Sequence, residues 1–185
     1  LIQVLKDSNQ DVTMYAAYAL GKIKGNRIGL EMMRALKDPY TRRNAAFVLG
    51  EIQYRTAVPV LLEMLQTKNE DTYFLGTIAD ALGKIKDVKA MNGLLHAFDT
   101  AKSVMLRRDI IAALGQMRST RATGRLIKLL EEEKNLWVRY SAVYALGKIK
   151  DPKGVDCLER VVLKDTDELV RMAAARNLGE IKDPR

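Results

Sequence analysis

A six-residue phrase, Ala-Leu-Gly-Lys-Ile-Lys, stands at 19–24, at 81–86 and again at 145–150. Variants of it fill 48–53, 113–118 and 177–182. Leu-Gly pairs therefore begin at Leu20, Leu49, Leu82, Leu114, Leu146 and Leu178, at intervals of 29, 33, 32, 32 and 32 residues. A period of that size, kept along a whole chain, restricts the fold more than any other feature here. Each unit is too small to bury its own apolar face, so neighbouring units must stack to complete one core.

The residues around each phrase indicate what is stacked. In the first copy Val12, Ala16, Ala19, Leu20 and Ile23 fall on one stripe of an α-helix, which we term helix B. Before the later copies comes a second amphipathic pattern, helix A, as in 56–67, where Val58, Leu61, Leu62 and Leu65 share a face. The same pattern recurs at 29–38, 90–99, 122–133 and 154–165. Short polar joints separate the helices. Their Asp and Asn residues suit helix N-caps, and Pro152 suits a first helical turn, where no backbone donor is needed. A glycine inside a helix costs about 1 kcal/mol relative to alanine, so its return at one position implies a compensating close approach between helices. The phrase is thus read as frame. Its second lysine (Lys24, Lys86, Lys150 and Lys182) falls at the carbonyl end of helix B, where the helix dipole favours a cation.

Composition agrees with this. With 48% hydrophobic and 29% charged residues the chain can build a continuous core and stay dissolved. Lys and Arg outnumber Asp and Glu by 31 to 23; the resulting +8 suits an anionic partner, although part of it is structural. One cysteine, Cys157, allows no internal disulfide, which fits a reducing compartment. Nothing near Leu1 has the form of a signal peptide and no apolar run approaches a membrane span, so a cytoplasmic protein is expected. Residues 1–185 are expected to form a single elongated body. A start without methionine and an end in mid-pattern suggest a piece of a longer array.

The order Asp, Val-Arg, Ala-Ala, Ala-Leu-Gly, Ile-Lys-Asp-Pro is clearest at 137–155 and 169–184. It resembles the HEAT-like repeat of phycobilisome lyases and of many archaeal and bacterial scaffold proteins. The resemblance implies an all-α fold, a right-handed α-solenoid of about six helix pairs, with the B helices lining its inner wall. The arginine of each Val-Arg position (Arg42, Arg107, Arg139, Arg171) is expected to donate hydrogen bonds between repeats, and Leu75 breaks that column.

On the B helices, the residues off the core stripe vary while the frame repeats. Tyr15, Tyr18, Phe47, Tyr140 and Tyr144 fall there, together with Lys22, Arg43, Lys84, Arg108, Lys148 and Arg176. Exposed aromatic groups beside cations are the composition of interface hot spots. These positions, Arg176 apart, are the candidate partner-binding residues. Glu51, Asp80, Asp109 and Glu180 share the columns, so the charge is mixed and a protein partner fits better than a nucleic acid, which would favour a one-sided basic groove. A nucleic-acid binder whose tyrosines stack on a single strand is the alternative, as is a chromophore-handling subunit of the phycobilin-lyase type.

Catalytic chemistry is not expected. His96 falls in an outward polar column of helix A, and Ala97 follows it where HEAT-like deoxyhypusine hydroxylases carry a glutamate of an iron-binding His-Glu pair. Cys157 reads as a partly packed thiol with no second Cys or His to complete a zinc site or a catalytic couple. Asp80 and Asp109, near Lys84 and Arg108, read as members of a salt-bridge ladder, and Trp137 as a residue ahead of its B helix packed in a joint. No cofactor or metal is implied.

Overall fold

The computed structural model describes residues 1–23, 25–67 and 70–181. The described residues are all-α and contain no strand. Two compact units divide the chain, Leu1–Ala97 and Phe98–Arg185, with the division inside a helix. In the first unit a 3-10 turn at Gln3–Lys6 leads to α1 (Gln10–Ile23), α2 (Asn26–Ala35), α3 (Arg42–Glu51), α4 (Val58–Leu65), α5 (Thr72–Ile85) and most of α6 (Ala90–Thr100). The second unit holds the end of α6, then α7 (Val104–Met117), α8 (Thr123–Glu132), α9 (Leu136–Ile149), α10 (Pro152–Lys164) and α11 (Glu168–Ile181).

The odd-numbered helices are the B helices and the even-numbered ones the A helices. Within the first unit α1 packs on α3 and α3 on α5; within the second α9 lies between α7 and α11. The joints work as their residues suggest. Asp71 accepts from the backbone N–H groups of Tyr73 and Phe74, Asn135 from those of Trp137 and Val138, and Asp151 from that of Lys153 beside Pro152. At the other end Lys86 and Lys150 adopt left-handed φ values of 56° and 58°, and their N–H groups close the helices onto the carbonyls of Leu82 and Leu146. Lys24 and Lys182 lie outside the described residues.

Gly21, Gly50, Gly115 and Gly147 are contact points between successive B helices, whereas Gly179 of the last copy faces open space. A Cβ on Gly50 would lie 2.7 Å from the Cα of Ala81, and one on Gly115 would lie 2.8 Å from the Cα of Ala145. Backbone cannot move aside as a flexible side chain can, so the frame reading holds at these positions. A Cβ on Gly147 would instead run into the side chain of the buried Asn177. A Cβ on Gly21 would lie 2.8 Å from the Cβ of Glu51, a different partner, in keeping with the shorter first interval.

The arginine column is equally concrete. Arg139 is buried, and its guanidinium holds Asp165 in a two-pronged ion pair of 2.9 and 3.0 Å while donating to the carbonyls of Glu133 and Lys134. Arg42 reaches Glu70 at 2.9 Å and lies over the Phe74 ring; Arg107 pairs with Glu133, and Arg171 donates to the Asp165 carbonyl. Leu75, the departure, is buried as an ordinary core residue.

One expected core stripe is shifted. In α1 the buried residues are Thr13, Ala16, Ala17, Leu20 and Gly21, whereas Val12 and Ile23 are exposed at 39% and 61%. The contact of α1 with α3 runs through Gly21, so the covered face is the one centred on Ala17 and Gly21. Apolar periodicity alone cannot distinguish this face from its neighbour.

Candidate functional site

The face of the B helices left uncovered by stacking differs between the units. In the first unit Tyr15 and Tyr18 stand out from α1, exposed at 71% and 52%, with the Lys22 ammonium 5.0 Å from the Tyr18 ring centre. Arg43 is exposed at the start of α3, and Phe47 is half-buried below it. Lys84, on α5, sits 5.1 Å from the Phe47 ring centre and makes two ion pairs of 2.7 Å, to Glu51 on α3 and to Asp80 on its own helix. Burial works to lower the Lys84 pKa, but the two carboxylates outweigh it and hold the ammonium above its usual range. The expected salt-bridge role of Asp80 is thus present inside this unit.

In the second unit the candidate residues come together. Arg108 and Gln116 on α7, with Tyr140, Ser141, Tyr144 and Lys148 on α9, line a groove of about 320 Å³ floored by Ala112, Gly115 and Ala145. The small residues of the frame make the hollow, because they bring α7 and α9 close and leave no bulk above their contact. Tyr140 and Tyr144 are half-buried, with ring centres 5.2 Å apart and planes tilted by 44°. Their spacing of four residues puts both rings on one side of α9. The phenol of Tyr140 titrates above its ordinary value, through its hydrogen bond to Tyr144 and then through burial, with Arg176 opposing. Arg176 on α11 is itself paired with Glu180 at 3.1 Å.

Trp137 belongs to this surface and lies within α9, which corrects the expectation that it stands ahead of its B helix. The Asn135 cap places it in the first turn of α9, exposed at 46%. Its ring packs edge-on against Tyr140, with centres 6.2 Å apart, and the Arg108 guanidinium lies 5.7 Å above it. Tyr40 and Tyr73 hold the corresponding sequence positions, nine residues before Leu49 and Leu82, and are exposed at 88% and 64%. A recurring aromatic nine residues ahead of Leu-Gly was the available signal, once the cap residue fixed where the helix begins.

Reactive groups lie elsewhere. His96 is on the exposed side of α6 and Cys157 is buried in α10, where burial pushes its thiol pKa up. Among the described residues no group of three or more His, Cys, Asp or Glu is placed to hold a metal ion. No helix among them is long and apolar enough to cross a membrane.

Comparison with known proteins points to one family. The model for HEAT repeats matches residues 29–105 and 91–179. Among solved structures, a chain in the complex of CpcE and CpcF of phycocyanin lyase from Nostoc sp. PCC7120 is 27% identical over 97% of this chain and 75% of its own, with a TM-score of 0.68. YibA of E. coli, at 21% identity, covers 96% of this chain and 68% of its own with a TM-score of 0.67. Human deoxyhypusine hydroxylase in complex with glycerol, at 20%, covers 99% and 84% with a TM-score of 0.55. The last two share the fold alone. No curated protein matches the chain. Interlocked glycines, a column of inter-repeat arginines and these matches together establish that the chain belongs to the HEAT-repeat family, with repeats of the phycobilisome-lyase type.

Proposed function

We propose that this HEAT-repeat chain is a non-enzymatic cytoplasmic scaffold that binds a partner protein through the open face of its B helices. Tyr140 and Tyr144 are the principal anchors, with Tyr15, Tyr18 and Phe47 as further aromatic contacts. Lys22, Arg43, Lys84, Arg108 and Lys148 orient the partner from the rim. One observation carries this reading. On α1, α3 and α9 the small and aliphatic frame residues serve the stack, while the rings of Tyr15, Tyr18, Phe47, Tyr140 and Tyr144, with cations beside them, occupy the face that the stack leaves open. Half-buried aromatic groups beside Arg and Lys in a hollow have the composition and shape of an interface anchor point. The exposed His96 and the buried Cys157 favour binding over catalysis. A relative 27% identical is found within a two-protein complex, which is in keeping with a protein partner.

The test is capture from the native host with the wild-type chain and with a Tyr140→Ala, Tyr144→Ala variant. A specific partner should be retained by the first and lost by the second, with helicity equal in both. Titration against DNA and RNA at two salt concentrations separates the nucleic-acid alternative, whose affinity would fall steeply with salt.

A second reading, a chromophore-handling subunit of the lyase type, draws support from the same relative and from a groove holding two tyrosines and two cations. It predicts a change in visible absorbance when the chain is mixed with a bilin, abolished by the same double substitution.

A further inference from the structure

Several cations of the B helices are matched within the chain, whereas the two at the groove of the second unit, like Lys22 and Arg43 in the first unit, form no ion pair among the described residues. Lys84 is matched by Glu51 and Asp80, Arg107 by Glu133, Arg139 by Asp165 and Arg176 by Glu180. Arg108 and Lys148 form no ion pair among the described residues, both are exposed, and no carboxylate lines the groove between them. Cations left uncompensated beside aromatic faces are positioned to meet carboxylates that arrive with a ligand.

Size narrows the ligand. About 320 Å³ lies near the lower end of the roughly 300–1,000 Å³ typical of ligand sites, enough for one large side chain. The floor beside the Tyr140 and Tyr144 rings, formed by Ala112, Gly115 and Ala145, is apolar. Phosphate backbone is a poorer match, because Asp109 on α7, next to Arg108 in sequence, and Glu180 on α11 would interrupt a continuous basic track.

We propose that this groove takes an acidic segment of the partner protein, with one aromatic or aliphatic side chain seated at Tyr140 and Tyr144 and flanking Asp or Glu carboxylates meeting Arg108 and Lys148. The proposal rests on the B-helix face being the partner surface and adds the chemistry of what binds there.

Trp137 supplies the readout. It is the only tryptophan in the chain and touches both Tyr140 and Arg108. The full chain is titrated with a short tryptophan-free peptide alternating Glu and Phe, with its Gln-for-Glu counterpart, and with an oligothymidine strand, while Trp137 emission is followed. The acidic peptide should give a saturable change, weakened about tenfold or more either by the Gln peptide or by an Arg108→Gln, Lys148→Gln variant. Both substituted side chains are exposed, and circular dichroism checks that the fold is kept. No saturable change, equal binding of the Gln peptide, or binding of the oligonucleotide in preference to the acidic peptide overturns the proposal. If the peptide fails while Tyr140→Ala, Tyr144→Ala still abolishes partner capture, the acidic class alone is wrong. If capture also survives that variant, the reading of the face as a partner surface falls too.

Discussion

Lys84 and Lys148 occupy the same place in two identical hexapeptides, yet the two units use them differently. In the first unit Lys84 is held by Glu51, Asp80 and the Phe47 ring, and it ties α5 to α3. In the second, Lys148 extends from α9 at the rim of a groove with no carboxylate in its lining. The preceding repeat makes the difference: α3 offers Lys84 the Glu51 carboxylate, whereas the lining that α7 contributes beside Lys148 holds Gln116 and no carboxylate. A repeat sequence therefore fixes where a side chain stands, and the adjoining repeats decide whether it is consumed by structure or left for binding.

The largest expected difference between the units concerns their arginine ties. Arg139→Ala strands the buried Asp165 and the carbonyls of Glu133 and Lys134, and should cost about 3–5 kcal/mol in chemical unfolding. Arg42→Ala, at a half-exposed pair, should cost about 1 kcal/mol. Equal losses would remove this contrast.

Glycine substitutions sharpen the comparison by testing what the units share. Gly50→Val and Gly115→Val each drive a side chain into helix backbone, and each should cost about 1–3 kcal/mol or more. Gly124→Ala, with open space around it, should be neutral or stabilising by up to about 1 kcal/mol. A marked difference between Gly50 and Gly115 would mean that the frames are not equivalent.

Acid should act on the second unit through Glu133. Burial works to raise this carboxyl's pKa, but the Asn135 N–H at 2.8 Å and the Arg107 guanidinium outweigh it and hold the pKa below its usual value. A group whose pKa is depressed on folding contributes stability that is fully present above the unfolded value, about 4.3 for Glu, and lost as pH falls through the folded value. Stability measured from neutral pH downward should decline across that window, and Glu133→Gln should remove this part of the decline.

The smallest effect separates the two lysines. Lys84→Gln should cost about 0.5–1 kcal/mol, because it leaves Glu51 and Asp80 without their cation, while Lys148→Gln should leave stability within about 0.5 kcal/mol of wild type.

Much of the frame was legible in the sequence because one steric need was written repeatedly. A glycine that must clear a neighbouring helix cannot be replaced cheaply, so Gly50, Gly115 and Gly147 stand out by recurrence alone. Capping residues and the Arg139 column were readable for the same reason. Which residues of α1 are covered was not, because Val12 and Ala16 fit the same helical period as Thr13 and Ala17, and only the position of α3 distinguishes them. Among the site residues, Tyr140, Tyr144, Arg108 and Lys148 do share a groove, whereas Lys84 and Phe47 are bound up with each other. Pairings across repeats depend on side-chain reach between helices, and a one-dimensional register carries no information about that. The place of Trp137 depends on the exact helix start, which the Asn135 hydrogen bonds supply and apolar periodicity does not.

Binding affinity compared between two double variants tests the central claim most directly, with the partner captured by the wild-type chain as ligand. Tyr140→Ala, Tyr144→Ala should weaken binding by about 2 kcal/mol or more, close to thirtyfold, while Tyr15→Ala, Tyr18→Ala, whose rings are largely hydrated, should weaken it by about 1 kcal/mol or less. Unchanged affinity in the Tyr140, Tyr144 variant, with helicity intact, would contradict the account.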